Sequence, residues 1–594
     1  MVPVLYKITN VCEAPVHCTI LWFNKEFVIS MDHSEGKMIQ KSAIITGGNS
    51  GIGLATCIAL LNRGYSVIVI DKNISTISTL NNNNPNLFSF ECDICNDDDV
   101  EKTFQKIRTI TDTIDILINS AGIGAIGDFD KQDINVFKNV MNINFLGTVR
   151  IIKSCLPLML EGKKGHIINI SSISGKVSIP RYSSYCCSKC ALEGFSESLR
   201  IEVKNQNINV TVINPSNVNT SFHKNVLSSG ASNDVNLKSV GMPVDTVVKK
   251  IIQIIEKPKR NAYLPLSIEL GAICEVISLS LMDRFYFQCA RKIKRSLDTT
   301  MVAIVTGASS GIGKAVASDL CAKGLTVILI AKNKDALFIA AKEMADLGGN
   351  PVPVPCDLWD PETVRQTINK IMVDFGRIDL LINCACYPVR GKIECVPIKE
   401  YVADIETNFY GSVHIVKEVL PFMEQEGRGH IVSVLSTNAI RGRPYLSSSG
   451  ATDFALRSFS RCLDREMSKK YNSIKFSEIF HASVDIPFHG ERITLVEKII
   501  AVMGGKSSER KFLIPEKVAK CVLELLETGK TRKFVPLSSY LLLAGNTLVP
   551  SVVDLYFSQL LNNHELLGSS RNSCPQSQPG NKACNLNNGR MRDQ

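Results

Sequence analysis

Residues 42–73 read SAIITGGNSGIGLATCIALLNRGYSVIVIDKN, and residues 302–333 read VAIVTGASSGIGKAVASDLCAKGLTVILIAKN. Each begins as a short β-branched run, crosses a cluster of glycines, continues as a helical stretch and closes on a second β-branched run. The likeness continues further along the chain. IDILINSAG (114–122) is restated as IDLLINCAC (378–386), and GHIINISS (165–172) as GHIVSVLS (429–436). A period of about 260 residues is far too long for a solenoid repeat, so the unit is a duplicated domain.

Within the first copy, Ala43–Thr46, Ser66–Ile70, Ile116–Asn119, His166–Ile170 and Val210–Asn214 read as strands. They are continuous apolar runs, the pattern of a parallel sheet covered on both faces. Helical segments such as Leu54–Arg63 and Ser188–Lys204 alternate with them. The expected architecture is α/β, with one doubly wound parallel sheet per copy. The boundaries expected are an N-terminal extension (1–40), a first domain (41–298), a second domain (299–567) and a polar, disordered tail (568–594).

The chain has 594 residues, a formal net charge of +10, 45% hydrophobic and 21% charged residues, and a mean hydropathy of +0.08. That supplies large cores and excludes a mostly disordered chain. The positive excess forms no dense basic block, which argues against nucleic acid as a partner. Twenty cysteines scattered over this length do not make a disulfide scaffold, and Met1–Phe23 lacks the apolar core of a signal peptide. Reduced thiols inside the cell are expected. Cys186-Cys187-x-x-Cys190 has no neighbouring histidine, and Cys384-x-Cys386 has no second pair, so no metal is expected.

The loop Thr46-Gly47-Gly48-Asn49-Ser50-Gly51-Ile52-Gly53 joins the first strand to the first helix. Glycines there permit a tight turn and close backbone approach to a pyrophosphate, which the helix N-terminus then meets with N–H donors. Asp71 ends the second strand. A carboxylate there accepts hydrogen bonds from a ribose diol and repels a 2′-phosphate, so NAD(H) is expected in the first copy. The second copy keeps Gly307, Gly311 and Gly313 but ends its second strand in Ala331-Lys332, which suits NADP(H).

Tyr185 and Lys189 are four apart and share one helix face. A phenol, with a pKa near 10, becomes a usable base when an ammonium and a nicotinamide cation stabilise its phenolate. Ser172, thirteen residues upstream, ends a strand where its hydroxyl can hold a substrate oxygen.

TGGNSGIG (46–53), Asp71, Cys92-Asp93-Ile94, NSAG (119–122), Asn144, Ser172, YCCSK (185–189) and Pro215-Ser216 together resemble a short-chain dehydrogenase/reductase, over essentially residues 40–270. The resemblance implies two tandem Rossmann-type domains. It implies Tyr185 as general acid/base, Lys189 lowering its pKa and holding the ribose, Ser172 orienting the carbonyl or alcohol, and Asn144 supporting a proton-relay water. The implied cofactor contacts are Thr46, Gly47, Asn49, Ser50, Gly51, Ile52, Gly53, Asp71, Asp93, Ile94, Asn119, Ala121, Gly122, Pro215, Val218 and Thr220, with Tyr185 and Lys189 again. In the second copy they are Gly307, Gly311, Gly313, Lys332, Asp357 and Asn383. Ser120 stands where the family usually has Asn, and Ser216 where it usually has Gly.

The second copy is similar to the 11β-hydroxysteroid-dehydrogenase-like branch, but its chemistry is missing. At the offset that aligns GHI with GHI, Asn144 matches Asn408 and Ser172 matches Ser436, whereas Tyr185 falls on Ser449 and Lys189 on Asp453. His481 stands in place of Pro215, and Cys386 in place of a glycine. This copy reads as a pseudo-dehydrogenase, and spacing gives no support for a hydrolytic Ser449/Asp453/His481 site.

The polar stretch 221–247 suits a lid over a substrate cleft. The apolar stretches 263–287 and 534–557 read as core or as monotopic membrane contact. A lipophilic alcohol or ketone of steroid, retinoid or fatty-acyl type is expected as substrate, in the cytoplasm or peripherally on the endoplasmic-reticulum membrane. An intramolecular pseudo-dimer is expected through the helices at 133–160 and 183–204 with those at 398–425 and 447–470. The rival reading is a non-catalytic nucleotide-binding scaffold or sensor, which has no need of the Ser172/Tyr185/Lys189 set.

Overall fold

The computed structural model describes residues 41–81, 84–222, 226–228, 241–265, 297–471, 473–482 and 514–535. The extension, the tail, most of the two apolar stretches and much of the polar stretch after Thr220 lie outside the described residues.

The first copy runs β1 (Ser42–Thr46), α1 (Gly51–Leu61), β2 (Ser66–Asp71), α2 (Ser75–Asn81), β3 (Leu87–Glu91), α3 (Asp97–Arg108), β4 (Ile116–Asn119) and a short β5 (Ala125–Ile126). It continues through α4 (Ile134–Met141), α5 (Thr148–Glu161), β6 (Gly165–Ile170), α6 (Ser183–Glu202), β7 (Ile208–Pro215), a short β8 (Leu227–Ser228), α7 (Val244–Glu256) and β9 (Asn261–Leu264). Seven strands pair in parallel in the order β3-β2-β1-β4-β6-β7-β9. The five strands expected from sequence are all present. The two outermost, β3 and β9, are the ones the apolar pattern does not announce: LFSFE and NAYL are only partly buried.

The second copy repeats this with β10 (Val302–Thr306), α8 (Gly311–Ala322), β11 (Thr326–Ala331), α9 (Lys334–Asp346), β12 (Asn350–Pro355), α10 (Pro361–Phe375) and β13 (Leu380–Asn383). Then come α11 (Ile398–Asp404), α12 (Gly411–Gln425), β14 (Gly429–Ser436), α13 (Ser447–Lys470), β15 (Ile474–His481), α14 (Pro515–Thr528) and β16 (Arg532–Val535). Its sheet order is β12-β11-β10-β13-β14-β15-β16. Two Rossmann-type α/β domains stand in tandem.

Local chemistry explains the elements. In α1, Gly53, Thr56, Cys57 and Leu60 are buried at helical spacing. Asn96 caps α3 by accepting the Asp98 and Asp99 N–H groups. Three aspartates occupy its first turn and Lys106 and Arg108 its last, each complementing the helix dipole. The stretch expected as one helix over 133–160 is α4 and α5 joined by a π turn, Asn142–Gly147. It is apolar enough to cross a membrane, but 72% of its most apolar window is buried in the protein. Its apolarity is accounted for by core packing.

Helix α6 is buried almost all round, because one face lies on its own sheet and the other on the second copy. One hydrophobic cluster runs through both copies, joining Ala191, Leu192, Phe195 and Leu199 to Leu456, Phe459 and Leu463. The Phe129 and Phe459 rings meet at 5.1 Å, and Phe195 and Tyr401 at 6.2 Å. Backbones come close here. A Cβ on Gly194 would stand 2.7 Å from the Phe454 ring, and one on Gly442 2.6 Å from the Gly194 carbonyl.

Candidate active site

The glycine loop follows β1. Gly47 (φ +69) and Gly51 (φ +52) take left-handed conformations that favour glycine, and a Cβ on Gly53 would collide with the Gly47 carbonyl. Ser50 caps α1 without a side-chain hydrogen bond to the helix, so its side chain leaves the first-turn N–H groups uncapped. Thr46 Oγ1 accepts the Ser120 and Ala121 N–H groups at 3.2 and 3.3 Å, binding this loop to the end of β4. Thr220, after β7, lies against Gly51. Pro215 ends β7, and Val218, just beyond it, pairs with Met242. Ile52 sits in the first turn. These features form a cradle that fits a dinucleotide pyrophosphate.

At the far end, Asp71 Oδ2 accepts the Asn49 N–H at 3.0 Å and Oδ1 accepts that of Asn73 at 3.1 Å. Asp93 pairs with Lys72 at 2.8 Å, which holds its carboxyl below the usual range, and Ile94 is buried beside it. In the second copy, Lys332 pairs with Asp357 at 2.7 Å, so the cation expected to await a 2′-phosphate already has a carboxylate partner.

The chemical residues converge from three elements. Asn144 sits on the π turn, a local widening of the helix that recurs at functional sites. Its Oδ1 accepts the Ile123 N–H at 2.8 Å, and its Nδ2 donates to the Ile123 carbonyl at 2.9 Å and Ser188 Oγ at 3.0 Å. A Cβ on Gly122 would stand 3.1 Å from Asn144 Oδ1 and 3.6 Å from Lys189 Nζ, so all three share one pocket. Lys189, 5% exposed, donates to the Ile170 carbonyl at 3.0 Å. Ser172 lies two residues past the end of β6, caps the short 3-10 turn that follows by accepting the Ser174 N–H at 3.1 Å, and hydrogen-bonds the Tyr185 hydroxyl. Phe222 packs on the Tyr185 ring at 5.9 Å.

Burial is the dominant electrostatic influence. It pushes the Tyr185 phenol up to about 12, with the Ser172 hydrogen bond opposing it. It lowers Lys189 to about 8, with Glu193 opposing. These surroundings favour the neutral phenol, because desolvation outweighs the Ser172 hydrogen bond.

Several residues absent from the motif reading take part. Glu193, one turn beyond Lys189, pairs with Lys176 at 2.6 Å. Asn119 donates to Asn169 Oδ1 and Asn169 to Ser196 Oγ, both at 2.8 Å. Helical spacing from Lys189 could have flagged Glu193. Nothing local marks Asn169, whose role depends on strand pairing.

In the second copy the loop is preserved, with Gly307 at φ +65, Gly311 at φ +55 and Gly313 packed on Gly307. The counterparts of the first copy's candidate catalytic residues are hydrogen-bonded at two carboxyls, Asp453 and Asp404. Ser436 donates to Asp453 at 2.5 Å, and Ser449 and Asn408 donate to Asp404 at 3.2 and 2.6 Å. Asp404 stands where the first copy has Val140. Burial raises both carboxyls to about 7. Asn383 is buried with neither amide atom hydrogen-bonded among the described residues. His481 bonds to the Ala482 carbonyl.

A family model described as short chain dehydrogenase matches residues 41–230 and 301–492, well over half the chain. The chain belongs to that family, with the domain present twice, and is an NAD(P)-dependent oxidoreductase. It is similar to dehydrogenase/reductase SDR family member 7B of Xenopus tropicalis, 33% identical over 272 residues that cover 43% of this chain and 87% of the relative. It is also similar to 3-ketodihydrosphingosine reductase of Bacteroides thetaiotaomicron, 32% identical over 242 residues (40% and 82%). A solved structure of actinorhodin polyketide ketoreductase with NADPH aligns at 24% identity and a TM-score of 0.36, covering 40% of this chain and 95% of that one.

Proposed function

We propose that turnover belongs to the first copy (41–298), acting on a lipophilic ketone or secondary alcohol, and that the second copy (299–567) supports it without turning over. The observation that carries this is the junction of Ser172, Tyr185, Lys189 and Asn144 in one pocket, set against Asp453 in the lysine position of the second copy.

A bound nicotinamide would supply or accept the hydride. The chain's residues do the rest. Ser172 holds the substrate oxygen in line with the Tyr185 hydroxyl. A neutral phenol is the form that donates a proton to an oxygen gaining charge, and the Lys189 ammonium stabilises the phenolate that results. Asn144, fixed by both backbone groups of Ile123, orders the pocket behind Lys189. In the second copy a carboxylate would oppose phenolate charge, and Ser449 offers no comparable acid.

Asp71 supports NAD(H) in the first copy, and Lys72, the adjacent cation that could soften the preference, is paired with Asp93. The preserved Gly307–Gly313 loop and Ala331 support NADP(H) binding in the second. A lipophilic substrate is supported by Phe222 against Tyr185 and by the activity that the name of the Bacteroides relative states.

An internal pseudo-dimer is supported by reciprocal contacts. Lys153 donates to the Ile393 carbonyl at 2.6 Å, and its counterpart Lys417 to the Gln132 carbonyl at 2.7 Å. Buried Arg441 of the second copy faces Glu197 of the first at 3.5 Å.

Assay of the full chain against long-chain and cyclic ketones, with NADH or NADPH, tests the reading. NADH-driven reduction is expected, lost in Gly53→Val, and Asp71→Ala should raise kcat/KM with NADPH about tenfold or more by removing like-charge repulsion. Wild-type turnover in Gly53→Val would overturn it.

A further inference from the structure

We infer that Glu466, contributed by the second copy, is a positioning residue for the chemistry at Tyr185 in the first. The inference rests on the proposal that turnover belongs to the first copy.

Glu466 lies near the end of α13 and is 4% exposed. One carboxylate oxygen accepts the Phe129 N–H at 2.9 Å, and the other accepts the Arg181 N–H at 3.2 Å. Those amides belong to the two loops that bracket the first copy's cleft. Phe129 ends the segment that leaves β4 through Ala121 and Gly122. Arg181 lies two residues before α6 begins.

Arg181 is held at φ +68, a conformation that strains a non-glycine residue and persists only where surroundings over-determine it. The surroundings are on view. Glu466 takes its N–H, and Gly127 donates to its carbonyl at 2.9 Å. Arg465 adds a hydrogen bond to the Ser178 carbonyl, and Ser458 Oγ lies 3.3 Å from Ser178 Oγ. Tyr185 follows Arg181 by four residues, about one helical turn. A change of angle where α6 starts therefore swings the phenol away from Ser172.

The pseudo-symmetric counterpart is Glu202, and the whole clamp recurs at an offset of 264 residues, the one relating Gly165 to Gly429. Glu202 of the first copy accepts the Ile393 and Tyr445 N–H groups at 3.0 and 2.8 Å. Tyr445 is held at φ +64, and Gly391 donates to its carbonyl at 3.0 Å. Here the clamp acts on the loops around Ser449, where the first copy has Tyr185. One carboxylate steadies the Tyr185 helix and its twin steadies a helix without that tyrosine. The pair is a matched experiment supplied by the duplication.

In the full chain, Glu466→Gln and Glu202→Gln each weaken one bidentate clamp at equivalent places. Melting temperatures should fall by similar amounts. Turnover should not. Glu466→Gln should lower kcat about tenfold with KM for the dinucleotide little changed, since sub-ångström misplacement of a reacting group acts on the chemical step. Glu202→Gln should keep kcat within about twofold of wild type. Equal kcat in the Glu466→Gln and Glu202→Gln proteins, with Tyr185→Phe inactive, would overturn the inference alone. An active Tyr185→Phe protein would overturn the underlying assignment.

Discussion

Lys189 carries two opposed demands. Burial lowers its pKa to about 8 from a reference near 10.5, and Glu193 restores part of the loss. The folded value lies below the unfolded one, so between about pH 8 and 10.5 the unfolded chain binds more protons. Stability therefore rises with pH across that window. Catalysis runs the other way, because only the ammonium stabilises a phenolate. Ketone reduction should accordingly show kcat/KM flat near neutrality and falling above about pH 8, followed by initial rates across the pH range. A profile still flat at pH 10 would remove Lys189 from the role. Its identity was legible in YCCSK, since four-residue spacing fixes a shared helix face. Its electrostatic setting was not, because the Glu193–Lys176 pair joins a helix to a loop seventeen residues upstream.

At the scale of elements, α6 does two jobs with opposite faces. One presents Tyr185 and Lys189 to the cleft, and the other packs against α13 at glycine distance. Gly194→Val should thus drive a side chain into the Phe454 ring and destabilise the chain by about 3 kcal/mol, an overpacking cost read as a lowered urea midpoint. An unchanged midpoint would mean that the helices do not meet so closely. The inner strands were legible because all-apolar runs fit a sheet covered on both faces. Strands β3 and β9 escaped because edge positions are only half covered and their sequences are mixed. The π turn at Asn142–Gly147 escaped for a different reason: an amphipathic pattern does not register one extra residue in a turn.

Over the whole molecule, the duplication was legible at once, because glycine loops and strand ends recur at a fixed offset. What the second copy does to the first was less so. Pairing of the two helices follows from their apolar faces, but Glu466 and Arg441 reach across the chain to partners hundreds of residues away. Only the folded arrangement shows them. Asp404 escaped too, since it replaces a buried Val140 and belongs to no motif. All turnover is assigned to Tyr185 and none to the bonded Ser436/Asp453 and Ser449/Asp404 pairs. The direct test is kcat on one confirmed ketone for wild type, Tyr185→Phe and the double variant Ser449→Ala/Asp453→Asn. Tyr185→Phe should lose about three orders of magnitude or more, and the double variant should match wild type. Retained turnover in Tyr185→Phe, or its loss in the double variant, would contradict the account.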